Sequence, residues 1–97
     1  MIYISGAITA PTRAEELLNM QLFFDAEEVL KEQGYEVFNP ATLEVDGGTW
    51  EYYLARDILW LVENRPDLFL LPNWEKSKGA RLEVEIAELL KLHILNK

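Results

Sequence analysis

Apolar positions along this chain alternate between two periods. IYIS, residues 2–5, is a short β-rich run cut off by Gly6. From Thr12 to Gln33, Ala14, Leu17, Leu18, Leu22, Ala26, Val29 and Leu30 recur at helical spacing, with Thr12 as N-cap and Gly34 as the stop. YEVF, residues 35–38, reads as a second strand ended by Asn39-Pro40. A loop over 39–49 carries the turn signal Asp46-Gly47-Gly48. Helix returns over Trp50 to Asn64 and stops before Pro66, because a residue preceding proline disfavours the α region. DLFLLP, residues 67–72, has the apolar character of a central parallel strand buried on both faces. The turn NWEKSKG leads into a helix from Lys78 to Leu90, and His93-Ile94-Leu95 is expected as a last, edge strand.

Strands alternating with helices predict a single α/β domain over residues 1–97, three-layered and flavodoxin/Rossmann-like, with a four- to five-stranded parallel sheet. Ligands of such sheets bind beyond the carboxyl ends of the strands. Those ends are Ser5-Gly6-Ala7, Asn39-Pro40-Ala41 and Pro72-Asn73-Trp74, with the last helix starting at Ser77 to Gly79.

Two acids break the pattern. At about 100° per residue, Glu83 falls between Ile86, Ala87 and Leu90, on the arc that should face the core. Asp57 falls between Trp50 and Leu61 on one side and Tyr53 and Trp60 on the other. Glu85 and Glu88 take the polar side and need only solvent. Burying a carboxylate costs several kcal/mol unless it is paired or protonated, against about 5–15 kcal/mol of net stability for a domain. The alternatives to a chemical role are a salt bridge from Glu83 to Arg81, Arg56 or Arg65, a subunit contact, or a local pair for Asp57. Ser77 can be an N-cap alone, and Gly6 a turn former alone.

Composition narrows the partners. Seventeen acids against nine bases give a net charge of −8 in 97 residues, which argues against a phosphate-backbone footprint on a nucleic-acid polymer. One or two phosphates of a small nucleotide remain compatible with backbone amides at a helix start. The chain has no cysteine, so disulfides and thiolate chemistry are excluded. Met1 runs straight into IYIS without a charged-then-apolar leader, and no apolar run approaches the ~20 residues of a membrane span, so a cytoplasmic location is expected. The aromatics of the 50–64 helix exceed what a small monomer is expected to cover, which predicts a homodimer or higher homo-oligomer with Trp60 and Tyr53 as anchors, one of them alternatively lining the pocket.

YISGAIT, NPA, WEYYLARDILWL and LPNWEKSKGARLEVEIAELL together resemble the small phage and bacterial proteins of the DUF4406 type, related to nucleoside 2-deoxyribosyltransferases. The resemblance spans nearly the whole chain, and its most specific part is the S-x-G-x-x-x-E run from Ser77 to Glu83. It implies that Glu83 is a nucleophile toward the anomeric carbon of a 2-deoxynucleoside, and that Asp57 assists departure of the base. It also implies a substrate-binding set of Tyr3, Gly6, Ala7, Ile8, Asn39, Ser77 and Gly79, with a 5-monophosphate near Gly6, Ala7, Ile8, Ser77 and Gly79. Ser77 stands where the transferase branch has an acid, which favours hydrolysis or a nucleotide-binding role over transfer. Thr9 stands where the monophosphate hydrolase branch has an arginine, leaving the phosphate to amides and Ser77. No metal or cofactor is expected. The competing readings are a nucleotide-binding module without turnover and a structural or interaction protein.

Overall fold

A computed structural model describes residues 1–43 and 49–97, so the turn expected at Asp46-Gly47-Gly48 lies outside the described residues. Strand β1 (Ile2–Ser5) leads to helix α1 (Arg13–Glu32), strand β2 (Val37–Phe38), helix α2 (Trp50–Asn64), strand β3 (Asp67–Leu70) and helix α3 (Lys78–Leu89). Short 3-10 turns occupy Pro40–Leu43 and Trp74–Lys76. The sheet is parallel in the order β2-β1-β3, with Ile2 opposite both Val37 and Asp67.

The helix boundaries follow from local chemistry. Thr12, Thr49 and Ser77 are extended residues whose hydroxyls accept from the amides of Glu15, Tyr52 and Ala80, each relieving one unpaired donor of a first turn. Gly34 follows α1 at φ 93, where a side chain would be strained. Arg65, pinned before Pro66, ends α2 in the left-handed region at φ 47 and donates its N–H to the Leu61 carbonyl.

Period-two alternation in β1 divides the core. Ile2 and Ile4 pack with Phe23 and Leu30 of α1 on one face of the sheet. Tyr3 packs on the other face with Leu61 of α2, Leu68 and Leu70 of β3, and Val84 and Ala87 of α3. The result is three layers, with α1 on one side of the sheet and α2 and α3 on the other.

The sheet is smaller than the four to five strands expected: three strands are present among the described residues. YEVF contributes only Val37 and Phe38. The expected last strand reduces to a single parallel bridge between Leu68 and Ile94. Its physical reason is visible two residues after Ile94, where the Asn96 amide takes over the ladder: the Leu70 N–H donates to Asn96 Oδ1 at 2.8 Å and Asn96 Nδ2 donates to the Leu70 carbonyl at 2.7 Å. A side chain thereby satisfies the edge of β3 that further backbone pairing would have satisfied.

Candidate active site

A cavity of about 670 Å3 opens at the carboxyl end of the sheet, between the loop after β1, the first turns of α2 and the start of α3. Glu83 lies in its floor, only 6% exposed. The same alternation that sends Ile2 and Ile4 toward α1 sends Tyr3 and Ser5 together toward α3. Tyr3 Oη donates to Glu83 Oε2 at 2.6 Å and Ser5 Oγ donates to Oε1 at 2.7 Å. Both carboxyl oxygens are thus held, and the group is fixed in position before any ligand arrives.

No cation pairs with Glu83 among the described residues. Arg56 is taken by Asp57, Arg65 donates to the Leu90 carbonyl, and Arg81 is exposed. Burial therefore dominates the electrostatics and raises the Glu83 carboxyl from 4.5 to about 7, although the two hydroxyls favour its charged form and the nearby Asp57 opposes it. Burial, with the charge of Glu83 next, also pushes the Tyr3 phenol well above its ordinary value, so it remains a hydrogen-bond donor.

Asp57 reaches the cavity from α2 with 13% of its side chain exposed. Arg56 Nη2 meets its Oδ1 at 2.8 Å, and the guanidinium lies 5.2 Å from the centre of the Tyr53 ring. Burial raises the Asp57 carboxyl, and the Arg56 hydrogen bonds and charge hold that rise back. Beneath the site, Tyr3, Phe38 and Trp60 form an aromatic stack, with Phe38 and Trp60 centroids 4.0 Å apart. Trp60 is thus half-buried within the protomer, and Tyr53 lines the cavity.

The remaining expected residues divide. Tyr3, Gly6, Ile8, Ser77 and Gly79 line the same cavity as Glu83 and Asp57. Gly6 is required sterically, since a Cβ there would meet Leu71 Cβ at 2.8 Å. Gly79 is not, because the nearest atom to a Cβ would be Leu54 Cδ1 at 3.6 Å. Ala7 lies outside the lining, and its N–H is taken by Asn73 Oδ1 at 3.1 Å. Asn39 is buried away from the cavity, with Oδ1 accepting from the Ala41 N–H at 2.9 Å and Nδ2 donating to Glu27.

Sequence reasoning passed over Ser5, Lys76 and Lys78. Ser5 was readable from its i+2 relation to Tyr3 on one strand. Lys76 and Lys78 flank Ser77 at the cavity wall, with Lys78 Nζ 6.0 Å from the centre of the Trp50 ring, and nothing in their local pattern distinguishes them from solvated lysines. Among the described residues no group of three or more His, Asp or Glu converges on a metal position.

Fold and site together define a small α/β protein with a parallel sheet and a carboxylate-floored cavity at the sheet's carboxyl end. The chain belongs to the DUF4406 family, a domain of unknown function whose match covers residues 1–96. No curated protein and no solved structure matches it. No helix among the described residues is long and apolar enough to cross a membrane.

Proposed function

We propose that the protein cleaves the N-glycosidic bond of a 2-deoxynucleoside or its 5-monophosphate, with Glu83 as nucleophile and Asp57 as acid. The observation that carries this reading is Glu83: a buried carboxyl with no cation beside it among the described residues, held at both oxygens by hydroxyls in the floor of an open cavity. A merely structural acid would have a cationic partner or solvent. The cavity volume of about 670 Å3 suits a nucleotide-sized ligand, within the ~300–1,000 Å3 usual for small-molecule sites.

Cleavage of such a bond develops positive charge on the sugar, which a fixed carboxylate in a dry site stabilises strongly. One Glu83 oxygen bonds to the anomeric carbon as the C–N bond breaks, and the electron pair passes to the base, which takes a proton from Asp57. Water then attacks the same carbon and returns a proton to Asp57, and Glu83 leaves as carboxylate. Two carboxyls in one cavity resist ionising together, which keeps a proton at hand for the base.

A 5-phosphate in this reading lies at the start of α3 beside Gly6, Ile8 and Gly79. Ser77 Oγ accepts from the Ala80 N–H at 3.1 Å and retains its own proton for an anion. Lys76 and Lys78 supply charge that the loop residue Thr9 does not. The Ala7 amide is already engaged, and Asn39 orders the turn after β2 instead of touching substrate. The protein works in this proposal as a homo-oligomer on a flavodoxin/Rossmann-like scaffold.

The test is incubation of the purified protein with the four deoxynucleosides and their monophosphates, with chromatographic detection of free base. Release that Glu83→Gln abolishes is the expected result. No base from any of them overturns the reading, and thermal stabilisation by a nucleotide without release replaces it with a binding module.

A further inference from the structure

Helix α2 is apolar on two sides. Its inner side carries Leu61, fully buried, together with Asp57 and Trp60. Its outer side carries Tyr52, Ala55, Leu59 and Val62, at the i, i+3, i+7, i+10 spacing of a helix-pairing seam. These residues are exposed: Tyr52 by 58%, Leu59 by 57% and Val62 by 46%. Counting at about 100° per residue, no charged side chain falls inside the stripe, and Glu51 and Glu63 lie at its edges. Such a surface on an otherwise strongly acidic protein is costly to leave in water.

We propose that this face of α2 is the contact through which two copies of the chain pair, their α2 helices running antiparallel about a two-fold axis. A second copy is favoured over an unrelated partner because the stripe is self-complementary. With the axis midway between Ala55 and Leu59, Tyr52 meets the second copy's Val62, and the small Ala55 receives its Leu59, so large residues face small or medium ones. Charge selects the antiparallel sense. Glu51 stands at the start of α2 and Arg65, exposed and donating one guanidinium N–H to the Leu90 carbonyl, at its end. Antiparallel pairing sets each Glu51 beside the other copy's Arg65 and opposes the helix dipoles, whereas parallel pairing would stack like charges. Helix α1 also exposes Leu17, Leu18, Phe24 and Val29, but the hydrogen-bonded Gln21–Asp25 pair lies among them, so that face has no continuous seam.

The proposed pairing uses a different side of α2 from the anchors expected from the sequence. Trp60 is spent in the stack on Phe38, and Tyr53 faces the cavity. The seam lies on the opposite side of the helix, so it does not depend on the chemistry assigned to the cavity. It does bear on the cavity indirectly, because covering the outer face fixes the helix that carries Asp57.

Light scattering of the full chain at micromolar concentration is expected to give the mass of two chains. Leu59→Glu should raise the dimer dissociation constant at least tenfold, and Leu18→Glu on α1 should leave it unchanged, with circular dichroism confirming the helices of both. Because the protein has no cysteine, Ala55→Cys adds a single thiol to the seam, and a short bismaleimide should join two copies through it but not through Leu18→Cys. A one-chain mass for the wild type, a dimer indifferent to Leu59→Glu, or cross-linking confined to Leu18→Cys would each overturn the proposal. None of these outcomes alters the base-release assay, so the two proposals fail separately.

Discussion

Replacing Glu83 by Gln removes a buried charge and keeps the shape of the side chain. One amide oxygen can still accept from Tyr3 or Ser5, and the amide nitrogen can donate to the other hydroxyl once that hydroxyl turns, so packing and hydrogen bonding survive. The magnitude comes from the shift in ionisation. A carboxyl raised from 4.5 to about 7 is harder to ionise in the folded protein than in the unfolded chain by about 3 kcal/mol. The folded state therefore holds the proton more tightly, and the associated stability is fully present below about pH 4.5 and is lost as pH rises through about 7. Glu83→Gln has no such loss. Its advantage over the wild type should be near zero at the acid end and grow to at most about 3 kcal/mol above neutrality, a ceiling of roughly 10–20 °C in Tm for a domain of this size. Subtracting the two melting curves at each pH cancels the other acids to first order. Thermal melts of both proteins across this range are the assay. A difference that does not change with pH would refute the electrostatic account. Destabilisation by about 3–5 kcal/mol at neutral pH would show instead that Glu83 is half of an ion pair.

Three further outcomes are expected. Base release needs one proton shared between Glu83 and Asp57, so the pH–rate profile should be bell-shaped and fall as the pair loses its last proton through about 7, and a rate that keeps rising through that range would contradict Asp57 as the acid. Ser77→Ala should cost about 1 kcal/mol of stability through the lost cap of α3 and should weaken a nucleoside monophosphate more than the free nucleoside. Equal losses for both ligands, measured by calorimetry, would remove the phosphate from Ser77. Gly79→Ala should stabilise the fold by up to about 1 kcal/mol, because its Cβ meets only ordinary contacts in a helix, while reducing ligand affinity at the cavity wall; a destabilised variant would mean that the start of α3 is more crowded than its geometry shows.

The helices were legible because their signals are local. Thr12 and Gly34 bracket α1, Pro66 stops α2, and Ser77 caps α3 within a residue of where pattern and turn chemistry place them. The sheet's extent was less legible because pairing is a tertiary matter. YEVF has the composition of a four-residue strand, yet only Val37 and Phe38 find partners on β1. Ile94 makes one bridge before the Asn96 side chain closes the edge of β3. In the site, Glu83 and Asp57 stood out as acids on apolar arcs, and the structure brings both to one cavity. What surrounds them did not stand out. Arg56 adjoins Asp57 in sequence, but which acid it would choose depends on rotamers that no periodicity encodes. Asn73, engaging the Ala7 amide across 66 residues, has no local signature at all.

The pattern of support around Glu83 is itself informative. On α3 the acid follows Ala80 and precedes Val84 and Ala87, all buried, so an apolar residue there would have continued the core without cost. Instead β1 supplies a tyrosine and a serine, on the one face of that strand where Ile2 and Ile4 do not point, and both donate to the carboxyl. Hydroxyl donors have a particular consequence. A cation at the same distance would hold the carboxylate too, but it would pull the pKa down and neutralise the charge a reacting sugar must feel. Tyr3 and Ser5 orient both oxygens while leaving the group near neutrality, poised between its two protonation states. A carboxyl built only for stability would be paired or absent; one that is to meet a developing positive charge, as proposed for Glu83, is best held out of water by neutral donors, and Glu83 is buried and held by two hydroxyls.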